Sequence, residues 1–472
     1  MLTGIMNSMP CRLQILSLLL YGSSLIFAGC TGYHPAPLLP RDTSIHDLGQ
    51  IPLNWRHVAL PGLVPHPFDP AKPLDVTSVA MLAVVGNPEL KLARGDAGIA
   101  RAQAFAAGLL PDPQFNLAQD FPGEAGFVSA YNADLAYDLG ALVTLSARRK
   151  TGAAEIQKSD LALLWQEWRV VLQSRRLFAA VAYLQQGREL LRQAVSLAGV
   201  RAESARRAME EGNATWDGIA PYLVAQNDAQ RQLDDLTRQL QQGRFELNAL
   251  LGLAPEVRLE LAPLPPMASF DADAVRAALR DIPMRRPDLL ALASGYEAQE
   301  SRLRAAVLSQ FPSLNIGLTR ARDTSAVHTS GFTLGITLPV FSGARGSIAV
   351  ESATRQRLRD EYQSRINASH SEVEQIVENQ TLLQAQLRAA DDAATALKRM
   401  AADAEKAYEA RQMTVSTYVD LQSSLLARQS ELLALNRAAM EQRITLQSLL
   451  GGVLPDDNPD APAKRGPMKD AK

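Results

Sequence analysis

The sequence predicts a mainly α-helical fold carrying β-hairpins, built from one helix–β-hairpin–long helix–helix unit written twice. Three observations predict it. Similar residues recur at a constant offset of 199 positions, as in Pro88 and Pro287, Pro113 and Pro312, and Gly252 and Gly451. Within each half, two short stretches alternate apolar and polar residues with period two, the mark of strands with two unlike faces. Each pair of strands is followed by about 65 residues without proline, with apolar residues at steps of three, four or seven, the seam of a long packed helix.

The N-terminus reads as an export signal. Arg12 precedes an apolar run over Ile15–Leu20 and Leu25–Ala28, which ends in small residues before Cys30. That run is too short for a membrane span and fits a cleaved leader over 1–29. The string Phe27-Ala28-Gly29-Cys30 resembles a bacterial lipoprotein signal, which implies acylation of Cys30 and loss of Cys11 with the leader. No aspartate follows Cys30 as an inner-membrane retention signal, so outer-membrane sorting is expected. Residues 30–77 are proline-rich and read as an extended arm over the surface.

The first unit spans 78–252 and the second 284–452. Asn87-Pro88 opens a helix that runs to about Gly108, and Pro287 opens its counterpart to about Ser309, proline being favoured in a first helical turn. In the second unit Leu314, Ile316 and Leu318 alternate with Ser313, Asn315, Gly317 and Thr319. Phe332, Leu334, Ile336 and Leu338 then alternate with Thr333, Gly335, Thr337 and Pro339. The first unit repeats this with Phe115 and Leu117, then with Tyr131, Ala133, Leu135, Tyr137 and Leu139, between which stand Asn132, Asp134 and Asp138. Strands of about ten residues suit a tilted membrane span, and equally a soluble hairpin packed on a helix.

Long helices are expected over about Ser146 to Glu210 and Gly346 to Ala410, each roughly 100 Å at 1.5 Å per residue. Their seams run through Val181, Leu184, Leu191 and Ala202, and through Leu383, Leu387, Ala394, Ala401 and Tyr408. Such helices must lie against other long helices. A break at 211–215 and again at 411–414 turns each chain back into a return helix, the second with a seam at Leu421, Leu425, Leu432, Leu446 and Leu449. Residues 253–283, with Pro255, Pro263, Pro265 and Pro266, read as a linker, and 453–472 as a disordered tail.

The order of elements, together with Asn87-Pro88-Glu89-Leu90, Arg286-Pro287-Asp288-Leu289-Leu290, Phe311-Pro312-Ser313-Leu314, Leu338-Pro339-Val340-Phe341-Ser342-Gly343 and Leu449-Leu450-Gly451, resembles the TolC-like outer-membrane efflux family over about residues 78–452. That resemblance implies a homotrimer, each chain giving four strands to a twelve-strand transmembrane β-barrel set on a periplasmic α-helical tunnel. It also implies a periplasmic adaptor and an inner-membrane pump as partners. The physics agrees. Four strands with open edges cannot sit in lipid alone, and the smallest membrane barrels use about eight. Phe332, Leu334, Ile336 and Leu338 would then meet outer-membrane lipid, and Asn132, Asp134, Asp138, Asn315 and Thr337 the lumen.

In the family the periplasmic tips hold the tunnel closed. By position the candidates are Tyr408, Arg411, Thr414 and Asp420 at one tip and Asp217 at the other, beside Glu211, Thr215 and Tyr222. The family's glycine after the long helix is present as Gly212 and is Arg411 at the same offset. Trp165 and Trp168, at i and i+3, read as packing residues.

Composition sets the exclusions. Forty-eight basic against 50 acidic residues leave no basic excess for nucleic acid. With two cysteines, six scattered histidines and no HExxH, P-loop or GxSxG, neither a metal, a cofactor nor a catalytic residue is expected. The chain therefore reads as the exit duct of a tripartite efflux pump, with a pore-less periplasmic coiled-coil lipoprotein as the alternative.

Overall fold

The computed structural model describes residues 32–38, 40, 42–50, 69, 71–264, 267, 270–339, 341 and 344–452. The leader, Cys30 and the tail 453–472 lie outside the described residues. The chain divides at Ser44 into two units. The described part of the first has no helix or strand and is exposed up to the half-buried Ser44, whose N–H donates to Asp42 Oδ1 at 2.9 Å. Everything below concerns the second unit.

Its elements follow the duplicated order. Helices α1 (Val76–Gly86) and α2 (Pro88–Ala107) lead to strands β1 (Gln114–Asp120) and β2 (Ala130–Asp138). The long helix α3 (Gly140–Glu210) and the return helix α4 (Trp216–Leu250) follow. The second unit has α5 (Ala272–Leu279), α6 (Ile282–Arg285), α7 (Pro287–Leu308), β3 (Ser313–Arg322), β4 (His328–Thr337), α8 (Arg345–Glu409) and α9 (Val415–Leu450). At 71 residues, α3 is about 105 Å long. It is the spine of the molecule, packed along α7, α4, α9, α2 and α1. Among the described residues no helix is long and apolar enough to cross a membrane.

Two departures from the sequence reading have local causes. Helix α1, at the start of the first unit, was not foreseen, because its apolar segment has no amphipathic stripe. It is buried all round, with Val79, Ala80, Leu82 and Ala83 fully covered, and Asp75 caps it by accepting from Ser78 N–H at 2.7 Å. The segment 253–283 is likewise not all linker. Helix α5 opens on Asp271, which accepts from Asp273 and Ala274 N–H, and it seats Val275 and Leu279 against Leu289, Val373 and Leu446. Burying a side chain of this size contributes about 1.5–3 kcal/mol.

The 199-residue repeat is also visible in bonds. Both return helices end in the same motif. Leu253 N–H bonds to Asn248 C=O (2.9 Å) and Gly452 N–H to Gln447 C=O (3.3 Å), with Gly252 and Gly451 at φ +70° and +68°. That left-handed turn favours glycine. A Cβ on Gly252 would also strike the Gly86 carbonyl oxygen, where the chain crosses itself.

Each crossing is clamped by the residue that opens the next helix. In the first unit Asn87 accepts from Leu90 N–H (2.9 Å) and donates to Leu250 C=O (2.9 Å). In the second, Arg286 takes the same position. Its Nε and Nη2 meet the two Asp288 oxygens at 2.9 and 2.6 Å, and Nη1 donates to Ser369 Oγ (2.6 Å) and Leu449 C=O (3.4 Å). The guanidinium also lies 5.3 Å from the Trp165 ring. Trp165 therefore braces this clamp, and Trp168 is buried in the neighbouring core with Met81 and Ile444.

Candidate functional site

Two regions carry the sequence-derived candidates: the four-stranded sheet at one end of the helices and the helical tips at the other.

The sheet is antiparallel in the order β1-β2-β3-β4. Its register aligns rows across all four strands. Phe115, Leu135, Leu318 and Phe332 form one row, and Tyr137, Ile316 and Leu334 the next, with Leu314 beside Ile336 beyond. All share one face. The other face holds Asn132, Asp134, Asp138, Asn315 and Thr337, with Gly317, Thr319 and Thr333. The apolar face is uncovered: Phe115, Leu117, Leu318, Phe332, Leu334 and Ile336 are exposed. An uncovered sheet of this kind is a solvent mismatch unless something apolar meets it.

Two residues assigned to the strands lie just outside them. Leu139 is the N-cap of α3, its N–H bonding to Leu314 C=O at 2.8 Å. Leu338, 63% exposed, follows the last residue of β4. Pro339 explains the second case, since it cannot donate to a ladder. In the first unit the chain passes from β2 into α3 at Gly140, whose N–H is held by Asp138 (2.7 Å). In the second, α8 starts only at Arg345.

At the tips, α3 and α8 end alike. Asn213 N–H bonds to Ala208 C=O (2.7 Å) and Gln412 N–H to Ala407 C=O (2.8 Å). The left-handed residue between them is Gly212 (φ +76°) in the first unit and Arg411 (φ +58°) in the second. The missing glycine therefore did not change the turn. It left a side chain in a conformation that costs about 1–2 kcal/mol outside glycine. Thr414 caps α9 by accepting from Thr417 N–H at 3.3 Å. Thr215 makes no side-chain cap bond, and Asp217 sits exposed in the first turn of α4, where a carboxylate suits the helix dipole.

The charged contact at the tip joins the two hairpins. Asp420, on α9, pairs with Arg201, on α3; Arg201 Nη2 also donates to Ser416 Oγ at 3.1 Å. The guanidinium lies over the Tyr222 ring of α4, 4.4 Å from its centroid. Burial alone would lower the Arg201 pKa, but hydrogen bonds to Tyr222 and Asp420, and the Asp420 charge, outweigh it and raise it. Arg201 stays charged at any physiological pH. Arg411, the other charged candidate at this tip, is exposed and makes no ion pair among the described residues.

Tyr408 stacks on Tyr418 across the second turn, with centroids 4.7 Å apart and planes 9° apart. Burial and the nearby Glu405, Tyr408 and Glu409 raise the Tyr418 pKa, so it remains a neutral packing ring. A cleft of about 550 Å³ opens beside the Arg201 contact, between Ala208, Gly212, Thr215, Tyr222 and Ser416. Arg201 escaped the sequence reading because its partner is 219 positions away. The repeat offers no hint either, since the equivalent positions are Met400 for Arg201 and Pro221 for Asp420.

This fold is the one found in solved outer-membrane channel proteins. The model of the outer membrane efflux protein family matches residues 278–452, the second unit. The pyoverdine export outer membrane protein OpmQ of Pseudomonas putida is 27% identical over 262 residues, covering 53% of this chain and 55% of that protein. The chain thus matches about half the length of this curated relative. Two solved structures share the fold. The outer membrane protein VceC of Vibrio cholerae superposes with a TM-score of 0.65 at 17% identity, over 80% of this chain and 96% of that one. The CmeC outer membrane channel of Campylobacter jejuni gives a TM-score of 0.67 at 14% identity, over 80% of this chain and 86% of that one.

Proposed function

We propose that this chain is the outer-membrane exit duct of a tripartite efflux pump, working as a homotrimer. A periplasmic adaptor and an inner-membrane pump would feed it, and the pump would supply the energy. The observation that carries the reading is the sheet. It has two open edges, β1 and β4, one apolar face and one polar face, and it stands on paired helices about 100 Å long. Three copies joined edge to edge would make twelve strands, with Phe332, Leu334 and Ile336 towards lipid and Asp134 and Asn315 lining water. Exposed apolar residues on one face of α2, Leu92 and Ile99 two turns apart, support burial against a neighbouring copy. The duct has no catalytic role. OpmQ's name concerns pyoverdine export; which compound passes through this chain is set by the pump it meets.

The tip would be the closed end. Arg201 and Asp420 tie the second return helix to the first hairpin, so parting them frees one hairpin to swing outward. Tyr408 would stiffen the second turn. Asp217, Thr414 and Arg411, which makes no ion pair among the described residues, would face the threefold axis, Arg411 offering its forked donor to a neighbouring copy. An exposed pair contributes only about 0–1 kcal/mol, but threefold repetition multiplies it. In a planar bilayer the wild-type trimer should conduct poorly, and Arg201→Ala with Asp420→Ala should conduct severalfold better. Unchanged conductance from a folded trimer would move the closure elsewhere. A wild-type protein that forms neither trimer nor pore would favour the pore-less coiled-coil lipoprotein.

Acylation of Cys30 belongs to the same proposal, as a second membrane attachment beside the barrel. Mass spectrometry of the mature chain should find a lipid-modified Cys30 at its N-terminus. A mature chain that retains Cys11 would remove the anchor.

A further inference from the structure

The apolar face of the sheet changes character towards its loop end. Above the row of Phe115, Leu135, Leu318 and Phe332, the next row on the same face is Leu117, Ala133, Arg320 and Ser330. The last is Gln119, Tyr131, Arg322 and His328. Two arginines thus stand on the face whose lower rows are wholly apolar.

They are not equivalent. Arg320 is exposed and makes no ion pair among the described residues. Arg322 is fixed: Nε donates to Ser129 C=O at 3.0 Å, Nη2 donates to the same oxygen, and its Cζ lies 5.8 Å from the Tyr131 ring centroid. Tyr131 in turn reaches His328 Nδ1 at 3.5 Å. The Asp323 carboxylate at the adjoining turn is engaged by Ser325 and Val327 N–H (2.8 and 2.9 Å). Asp120 lies on the opposite face, and Glu124 stands in the β1–β2 loop. Val128 N–H bonds to Thr324 C=O at 3.0 Å and ties the two loops together. Phe121, Phe127 and Val327 on these loops are exposed as well.

A guanidinium facing hydrocarbon is costly, whereas at the interface the cost is small. The boundary between acyl chains and headgroups therefore falls between the Leu318 and Arg320 rows. There a planar guanidinium fork matches a phosphate in geometry and charge. We infer that Arg320 and Arg322, with Tyr131 beside them, form a binding site for the phosphate groups of lipid headgroups in the leaflet at the loop end of the sheet. This rests on the membrane-channel reading above. The helices occupy the periplasmic end, so this leaflet is the outer one.

The site is tested on the purified trimer by native mass spectrometry with lipid A and with its dephosphorylated form. Wild type should retain lipid A at least fivefold better than Arg320→Gln/Arg322→Gln, since one basic group at an anionic surface is worth roughly fivefold. It should show no such preference for the dephosphorylated lipid, and inorganic phosphate at matched ionic strength should not displace lipid A. Equal retention by the variant, or equal binding of the dephosphorylated lipid, overturns the site. Displacement by inorganic phosphate would mean an anion site that does not need a lipid. Should the double variant fail to assemble, Arg320→Gln alone, which breaks no bond seen here, gives the same comparison. Insertion of wild type into neutral galactolipid vesicles is measured in parallel. Failure there would fall on the channel reading, whereas insertion without lipid A preference falls on this site alone.

Discussion

Leu334→Arg should cost about 2–4 kcal/mol, the range for a cation placed near the middle of a barrel's lipid face. Thr333→Arg, one residue away, should be much milder. The two positions point to opposite faces. Leu334 stands opposite Ile316, in a row with Tyr137. Thr333 stands opposite Gly317, which has no side chain to obstruct an arginine. Heat-modifiability of the proposed trimer on a gel and its urea midpoint in detergent would separate them. Equal damage from both would mean that the faces are assigned the wrong way round.

Arg286→Met should destabilise the second unit by about 3–5 kcal/mol, because it leaves a buried carboxylate without its partner. Arg286 and Asp288 are only 5% and 8% exposed. The remaining cation near Asp288 is Arg365, at 3.6 Å. The double change Arg286→Met with Asp288→Leu should recover most of the loss, since replacing a whole buried pair by apolar groups is often neutral. The first unit shows that a charge is not required there: Asn87 and Glu89 hold the positions equivalent to Arg286 and Asp288, and Asn87 clamps Leu250 without an ion pair. If the double variant is as unstable as the single one, the clamp to Ser369 and Leu449 rather than the charge carries the effect. Chemical denaturation followed by circular dichroism distinguishes the two.

What could be read from the chain was whatever repeats. The constant offset located both helical hairpins, both β-hairpins and both glycine-ended return helices, because duplication writes such features twice. Helix periodicity placed Val181, Leu184, Ala202, Ala394 and Ala401 in the packed seams, and all five are buried. Contacts unique to one copy were out of reach. Arg201 and Asp420 meet across two hairpins with no echo in the repeat. Arg411 was singled out by its position at the tip, yet its backbone serves the turn and its side chain is free of ion pairs among the described residues. Helix α1 was hidden for the opposite reason: a segment buried on every side has no periodic stripe.

The up-and-down order of the sheet has an arithmetic consequence. With four strands in sequence order, β1 and β4 run in opposite directions, so in the proposed assembly β4 of one copy would always meet β1 of the next as an antiparallel neighbour. Any number of copies could be added without a parity conflict, and strand pairing by itself sets no stopping point. The count must be fixed by curvature and by how the helices below wedge against one another. In the proposed assembly, changes at the exposed Leu92 and Ile99 of α2 would therefore be better placed to alter how many copies close the ring than changes within the strands.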